Sequence, residues 1–133
     1  MRKTKTLFEF NHKSYKIKNL KKPVVLLLGP TASGKTDLAL NLYSEIPIEI
    51  ISVDSVMVYK DFNLGSAKPS LEILNKYPHH LIDVLTPESI YTASDFVQDA
   101  IRLIEEAHQK GKLPILVGGS MMYFQSLLKG LDD

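Results

Sequence analysis

Apolar runs alternate with helical spacings along most of this chain. Val24-Val25-Leu26-Leu27-Leu28 is a continuous apolar run, as expected of a strand buried on both faces, and Leu38, Ala39 and Leu42 follow it at helical intervals. Ile48-Glu49-Ile50-Ile51-Ser52-Val53 predicts a second buried strand, ending at Asp54. From Ser55 to Pro78 the pattern is less regular. Gly65, Pro69 and Pro78 punctuate it, a short helical turn is predicted around Leu71 to Asn75, and so long a connection is a place where function tends to sit. His80-Leu81-Ile82-Asp83-Val84 predicts a third strand. Thr92 and Asp95 have the spacing of a capping box, after which Phe96, Val97, Ala100, Ile101, Ile104 and Ala107 recur at helical spacing until Gly111 stops the helix. Ile115-Leu116-Val117 predicts a fourth strand. Gly118-Gly119-Ser120 then opens a last helix running to about Lys129, with Ser120 suited to cap it. Strands separated by helices predict an α/β fold with a mostly parallel sheet, whose ligands sit at the C-terminal ends of the strands.

The chain has 133 residues, 44% of them hydrophobic, enough for one domain with a substantial core. It has no cysteine, so neither a disulfide framework nor a zinc-thiolate site is available. No apolar stretch approaches the roughly 20 residues that span a bilayer, and the N-terminus lacks a secretory apolar core; a cytoplasmic protein without membrane contact is expected. The net charge of +1 conceals an asymmetry. Residues 1–22 hold eight of the sixteen Lys and Arg against the single acid Glu9, whereas residues 23–133 hold the other eight against fourteen acids. The first 22 residues therefore form a separate basic extension to a core domain at 23–133. Thr6-Leu7-Phe8-Glu9-Phe10 and Ser14-Tyr15-Lys16-Ile17-Lys18 alternate with a period of two around Asn11-His12-Lys13, which allows a small hairpin, but a frayed solubilising tail is the favoured expectation; a phosphate-seeking arm is the functional alternative, which Lys and Arg density alone does not establish.

The candidate chemistry begins where the first strand ends. Gly29-Pro30-Thr31-Ala32-Ser33-Gly34-Lys35-Thr36 is a glycine-rich loop between a strand and a helix, the arrangement that cradles phosphates. Gly29 and Gly34 let backbone N–H groups approach a polyphosphate closely, and Lys35 adds positive charge. Thr36 offers a hydroxyl to Mg²⁺, and the following helix points its positive end at the same spot. Asp54-Ser55 after the second strand and Gly118-Gly119-Ser120 after the fourth share that crevice. Asp54 is then a carboxylate beside bound phosphate, either an acid-base partner or a group that caps a turn or holds a metal-bound water. His79 and His80 are adjacent, so on a strand they face opposite sides and share a metal ion poorly. Met121, Met122, Tyr123 and Phe124 are expected to pack against the sheet.

The order of GPTASGKT at 29–36, ISVDSVMVYKDFNLGSAKP at 51–69, PHHLIDV at 78–84, YTASDF at 91–96 and LVGGSMMYFQSLLKGL at 116–131 resembles the N-terminal part of the tRNA dimethylallyltransferases, also called tRNA isopentenyltransferases. The resemblance covers nearly everything after residue 23. It implies a P-loop NTPase-like three-layer fold and transfer of a dimethylallyl group from dimethylallyl diphosphate to N6 of the adenosine 3′ of the tRNA anticodon, with Mg²⁺ as cofactor, by a monomer that grips the anticodon arm. By the same resemblance Gly29 to Thr36 would hold the donor's diphosphate, with Lys35 and a Thr36-bound Mg²⁺ stabilising the leaving group. Asp54 would be the general base; Ser55, Val56 and Met57 would touch the target nucleotide, and Ser120 the tRNA. The target adenine must leave its stack to react.

Ser66 and Ser120 depart from the family's usual Thr; each keeps the hydroxyl and loses a methyl. Asp133 falls roughly halfway along the family pattern, before its later arginines and helical region, which makes catalysis by the chain alone an open question. Two other readings stand beside the transferase. One is a P-loop kinase or adenylate prenyltransferase acting on a free nucleotide; the other is a non-catalytic remnant.

Overall fold

The computed structural model describes residues 4–10, 13–20, 23–28, 35–60 and 69–132, with backbone alone for 4–10, 13–20, Lys35, Thr36 and Asp132. Strands β1 (Thr4–Phe10), β2 (Lys13–Leu20), β3 (Val24–Leu28), β4 (Ile48–Val53), β5 (His79–His80) and β6 (Leu113–Gly118) form one sheet in the order β2-β1-β3-β6-β4-β5. All neighbouring pairs are parallel except β1 with β2. The helices are α1 (Lys35–Glu45), α2 (Leu71–Lys76), α3 (Ala93–Gln109) and α4 (Met121–Asp132).

Alternation along the central strands sends side chains to two cores. Leu27, Ile48, Ile50, Ile115 and Val117 meet Ala39 of α1 on one face. On the other, Val24, Leu26, Ile51, Val53 and Leu116 pack against Phe96, Ala100 and Leu103 of α3 and Tyr123, Phe124 and Leu127 of α4. A sheet covered on both faces explains why β3, β4 and β6 are continuous apolar runs. The result is a three-layer, P-loop NTPase-like α/β fold.

Local signals explain the helix ends. Thr92 accepts from the Asp95 amide at 3.1 Å while the Asp95 carboxylate accepts from the Thr92 amide at 2.9 Å, the reciprocal capping box that the sequence predicts. Gly111, at φ +71°, ends the turn after α3 in the left-handed region open to glycine. The short α2 starts at Ser70, whose hydroxyl accepts from the Ile73 amide at 3.3 Å.

Three expectations need correction. The predicted strand over residues 80–84 is only the pair His79–His80, because Leu81 (φ 66°) and Asp83 (φ 56°) turn the chain out of the sheet. The basic N-terminal segment is not set apart from the core: β1 and β2 pair antiparallel, and β1 continues the sheet in parallel beside β3, from Thr6 opposite Val24 to Phe10 opposite Leu28. Lastly, Tyr123 and Phe124 are buried as expected of packing residues, but Met121 and Met122 are 40% and 58% exposed.

Candidate active site

Register brings the C-terminal ends of three strands level. Leu28 of β3 and Val53 of β4 both lie opposite Gly118 of β6, which sits between them. The approach at this point is so close that a Cβ on Gly118 would stand 2.0 Å from the Val53 carbonyl oxygen. Glycine is thus required at the end of β6 for packing, a role the sequence signals only as a Gly-Gly pair. Ser120 continues the seam: its amide donates to the same Val53 carbonyl at 3.2 Å, and its own carbonyl accepts from the Phe124 amide at 3.1 Å to start α4. Backbone atoms of Ser120 thus tie the start of α4 to the residue before Asp54.

Asp54 is half-buried at the end of β4. Its Oδ1 accepts from the amides of Val56 at 2.8 Å and Met57 at 2.9 Å, so the carboxylate closes a turn. The capping role and the chemical role, alternatives in the sequence, are compatible here, since one oxygen is anchored by the turn and the carboxylate has a second. Ser55 and Val56 are exposed, whereas Met57 is 9% exposed and belongs to the core. Of the three residues expected at a target nucleotide, Ser55 and Val56 therefore present side chains to solvent and Met57 supports them from beneath.

Tyr123 lies under this end of the sheet, 2% exposed, stacked on Phe96 with centroids 4.6 Å apart and met edge-on by Tyr91 at 6.2 Å. Burial, together with neighbouring Tyr59, Asp54 and Asp95, pushes its hydroxyl pKa up and keeps it neutral. Tyr91 is shifted the same way by burial and by donating to Asp99 at 2.6 Å. The two adjacent histidines have separate partners. His79 Nδ1 donates to the Tyr77 carbonyl at 2.6 Å, and His80 Nε2 meets Glu49 at 3.3 Å. Burial lowers the His79 pKa against the raising effect of that carbonyl. Glu49 anchors a small ionic cluster with His80, Lys110 and Lys112; burial opposes its ionisation, but these partners outweigh it and lower its pKa.

Lys35 and Thr36, the last two residues of the predicted phosphate loop, are the first residues of α1. Gly29, Pro30, Thr31, Ala32, Ser33 and Gly34 lie outside the described residues, as does Ser66. Sequence reasoning missed the support of the Asp54 turn by residues 83–85. The Asp83 amide donates to the Met57 carbonyl at 3.0 Å, and those of Val84 and Leu85 to the Val58 carbonyl at 3.0 and 3.1 Å. No periodic pattern marks such a strap.

Comparison with known proteins agrees with this arrangement. The family model described as IPP transferase matches residues 57–133. A tRNA dimethylallyltransferase of Acinetobacter baumannii is 59% identical over 111 residues, covering 84% of this chain and 35% of that protein. One from Hahella chejuensis is 53% identical, covering 84% and 33%. The crystal structure of a tRNA isopentenylpyrophosphate transferase from Staphylococcus epidermidis superposes with a TM-score of 0.73 at 39% identity, covering 78% of this chain and 34% of that one. A eukaryotic dimethylallyltransferase described as acting on tRNA gives 0.72 at 34% identity, covering 78% and 26%. The chain spans about a third of the length of the curated relatives it matches, less than the half expected from its motifs. With more than half its residues matched by the family model, within a sheet that aligns Leu28, Gly118 and Val53, this chain belongs to the IPP transferase family.

Proposed function

We propose that this chain forms the donor-binding, base-bearing part of an enzyme that transfers a dimethylallyl group from dimethylallyl diphosphate to N6 of the adenosine 3′ of the anticodon in tRNA. The observation that carries the reading is the fixed carboxylate of Asp54 at the end of β4, level with Gly118 and with the end of β3 that leads into the GPTASGKT loop. Two inter-strand spacings separate β4 from β3, about 10 Å. That distance suits a diphosphate at one end and the attacked allylic carbon toward the other. The amine forms a bond to that carbon as the carbon–oxygen bond to diphosphate breaks. Asp54 accepts the proton the amine releases, while Lys35 and the N-terminus of α1 offset the charge gathering on diphosphate. The names of the relatives support a tRNA substrate over a free nucleotide.

Thr36 lies in the first turn of α1, and a threonine hydroxyl with substrate phosphate oxygens would be a hard-oxygen set of the kind Mg²⁺ takes. Bound there, Mg²⁺ would supply further charge neutralisation on the leaving group. Ser55, Val56 and the half-buried Ser120 are the residues of this chain we assign to the tRNA; a cytoplasmic location and a monomeric working form belong to the same reading.

Mass spectrometry of an anticodon stem-loop incubated with dimethylallyl diphosphate tests the reading. The chain fused to the remaining part of the Acinetobacter baumannii relative should add one dimethylallyl group to the RNA, and the chain alone little or none. A fusion that prenylates free AMP and leaves the RNA unmodified overturns the assignment.

A further inference from the structure

The turn that carries Asp54 is held in place by a segment with unusual backbone geometry. Residues 54–60 leave the sheet after β4, and residues 81–85 leave it after β5, the strand beside β4. The two segments are joined by the bonds from Asp83, Val84 and Leu85 to Met57 and Val58, by a bond from the Lys60 amide to the Leu85 carbonyl at 2.7 Å, and by a parallel bridge between Tyr59 and Leu85. Leu81 and Asp83 both adopt positive φ, which side chains with a Cβ rarely do, and they flank Ile82, 8% exposed. Leu81 itself is 7% exposed and sits in the core cluster that contains Val53 and Val58. A buried leucine and isoleucine thus pin a doubly left-handed turn in which the Asp83 amide reaches back to Met57, one of the two residues whose amides hold the Asp54 carboxylate.

We propose that Asp83 is a positioning residue for Asp54. The left-handed turn through Leu81 and Asp83 leaves the Asp83 amide on the Met57 carbonyl, and Met57 in turn donates to Asp54 Oδ1. The chain of contacts runs Asp83 N–H to Met57 C=O, then Met57 N–H to Asp54 carboxylate. Asp83 touches no reacting atom and acts through the register of the turn. Aspartate suits such a position better than most residues, because its short polar side chain tolerates the left-handed region. The proposal rests on the reading of Asp54 as the base, and its test separates the two.

Amide hydrogen exchange on this chain reads the positioning without any turnover. A valine at 83 is strained at positive φ, so Asp83→Val should speed exchange at Val56 and Met57 by about tenfold or more while Leu116 in β6 stays protected. Asp83→Asn and Asp83→Gly both accept φ near 56° and should stay near wild type. If Asp83→Val also loses the protection of Leu116, Asp83→Ala takes its place in the comparison and should show a smaller change of the same sign. Unchanged exchange at Val56 and Met57 in a folded variant, or a Gly variant as perturbed as Val, overturns the proposal. In the fusion enzyme, Asp83→Val should lower kcat about tenfold with affinity for pyrophosphate unchanged, and Asp83→Asn should restore it. An Asp54→Asn fusion that transfers at the wild-type rate would instead remove the base and leave the exchange result intact.

Discussion

Gly118 shows most directly how one residue sets the geometry of this site. Any side chain there meets the Val53 carbonyl at 2.0 Å, and backbone cannot yield as a flexible side chain does. Gly118→Ala should therefore cost about 3 kcal/mol or more, read as a loss of urea midpoint or a failure to fold; a cost under about 1 kcal/mol would mean that β4 and β6 are not this close. At Asp54 the expected outcome is the opposite, with stability kept and chemistry lost. Asn retains an oxygen for the Val56 and Met57 amides but does not take up a proton. Asp54→Asn in the fusion should leave pyrophosphate binding intact and slow prenylation about 100-fold or more. His79 supplies a pH dependence. Its pKa in the fold lies below the ordinary 6.5, so as the pH falls the unfolded chain binds the proton first, and stability declines below about pH 6.5. Urea midpoints at about pH 7.5 and about pH 5.5 should differ more for the wild type than for His79→Gln; equal differences would show that burial of this ring does not govern the titration.

Among the elements, α3 and α4 form the floor beneath the Asp54 turn. Their inner faces bring together Phe96 and Tyr123, stacked at an interplanar angle of 14°. The N-terminus of α3 is fixed one residue after Tyr91 by the capping box, so the cap also sets where Phe96 and Tyr91 meet Tyr123. Thr92→Ala should lower stability by about 1 kcal/mol in denaturant unfolding, and Thr92→Ser should restore most of it. Equal loss in both would place the effect in the methyl group and not in the hydroxyl bond to Asp95. The short β5 gives the converse lesson. Residues 80–84 have strand-like composition, yet of these only His80, together with His79 before it, pairs in β5, since burial of Leu81 and Ile82 is achieved by a turn. Leucine carries no local preference for positive φ, so propensity gives no warning of it.

At the scale of the molecule, the hairpin of β1 and β2 decides where the sheet ends. Without it β3, an apolar strand with Val24 and Leu26 fully buried, would present an unpaired edge, the kind of edge that recruits other chains. Deleting residues 1–22 should lower Tm by about 5 °C or more and produce self-association in light scattering; a deletion variant that stays monomeric with unchanged Tm would mean the pairing adds nothing. Local spacing was enough to reveal β3, β4, β6, α1, α3 and α4, because each of them buries a continuous or helically periodic apolar face, and burial imposes that period on the residues themselves. The motif at 29–36 stands out in the sequence as a candidate phosphate loop because close approach to phosphate demands glycines and a charge at fixed offsets. Strand order was not legible. That β6 inserts between β3 and β4, and so brings Gly118, Val53 and Leu28 level, depends on pairing between segments about sixty to ninety residues apart, for which no local pattern exists. Nor was the strap at 81–85, or the joining of a basic hairpin to the sheet. Both are settled by backbone hydrogen bonds that any sequence can make, and only the tertiary structure decides which backbones lie side by side.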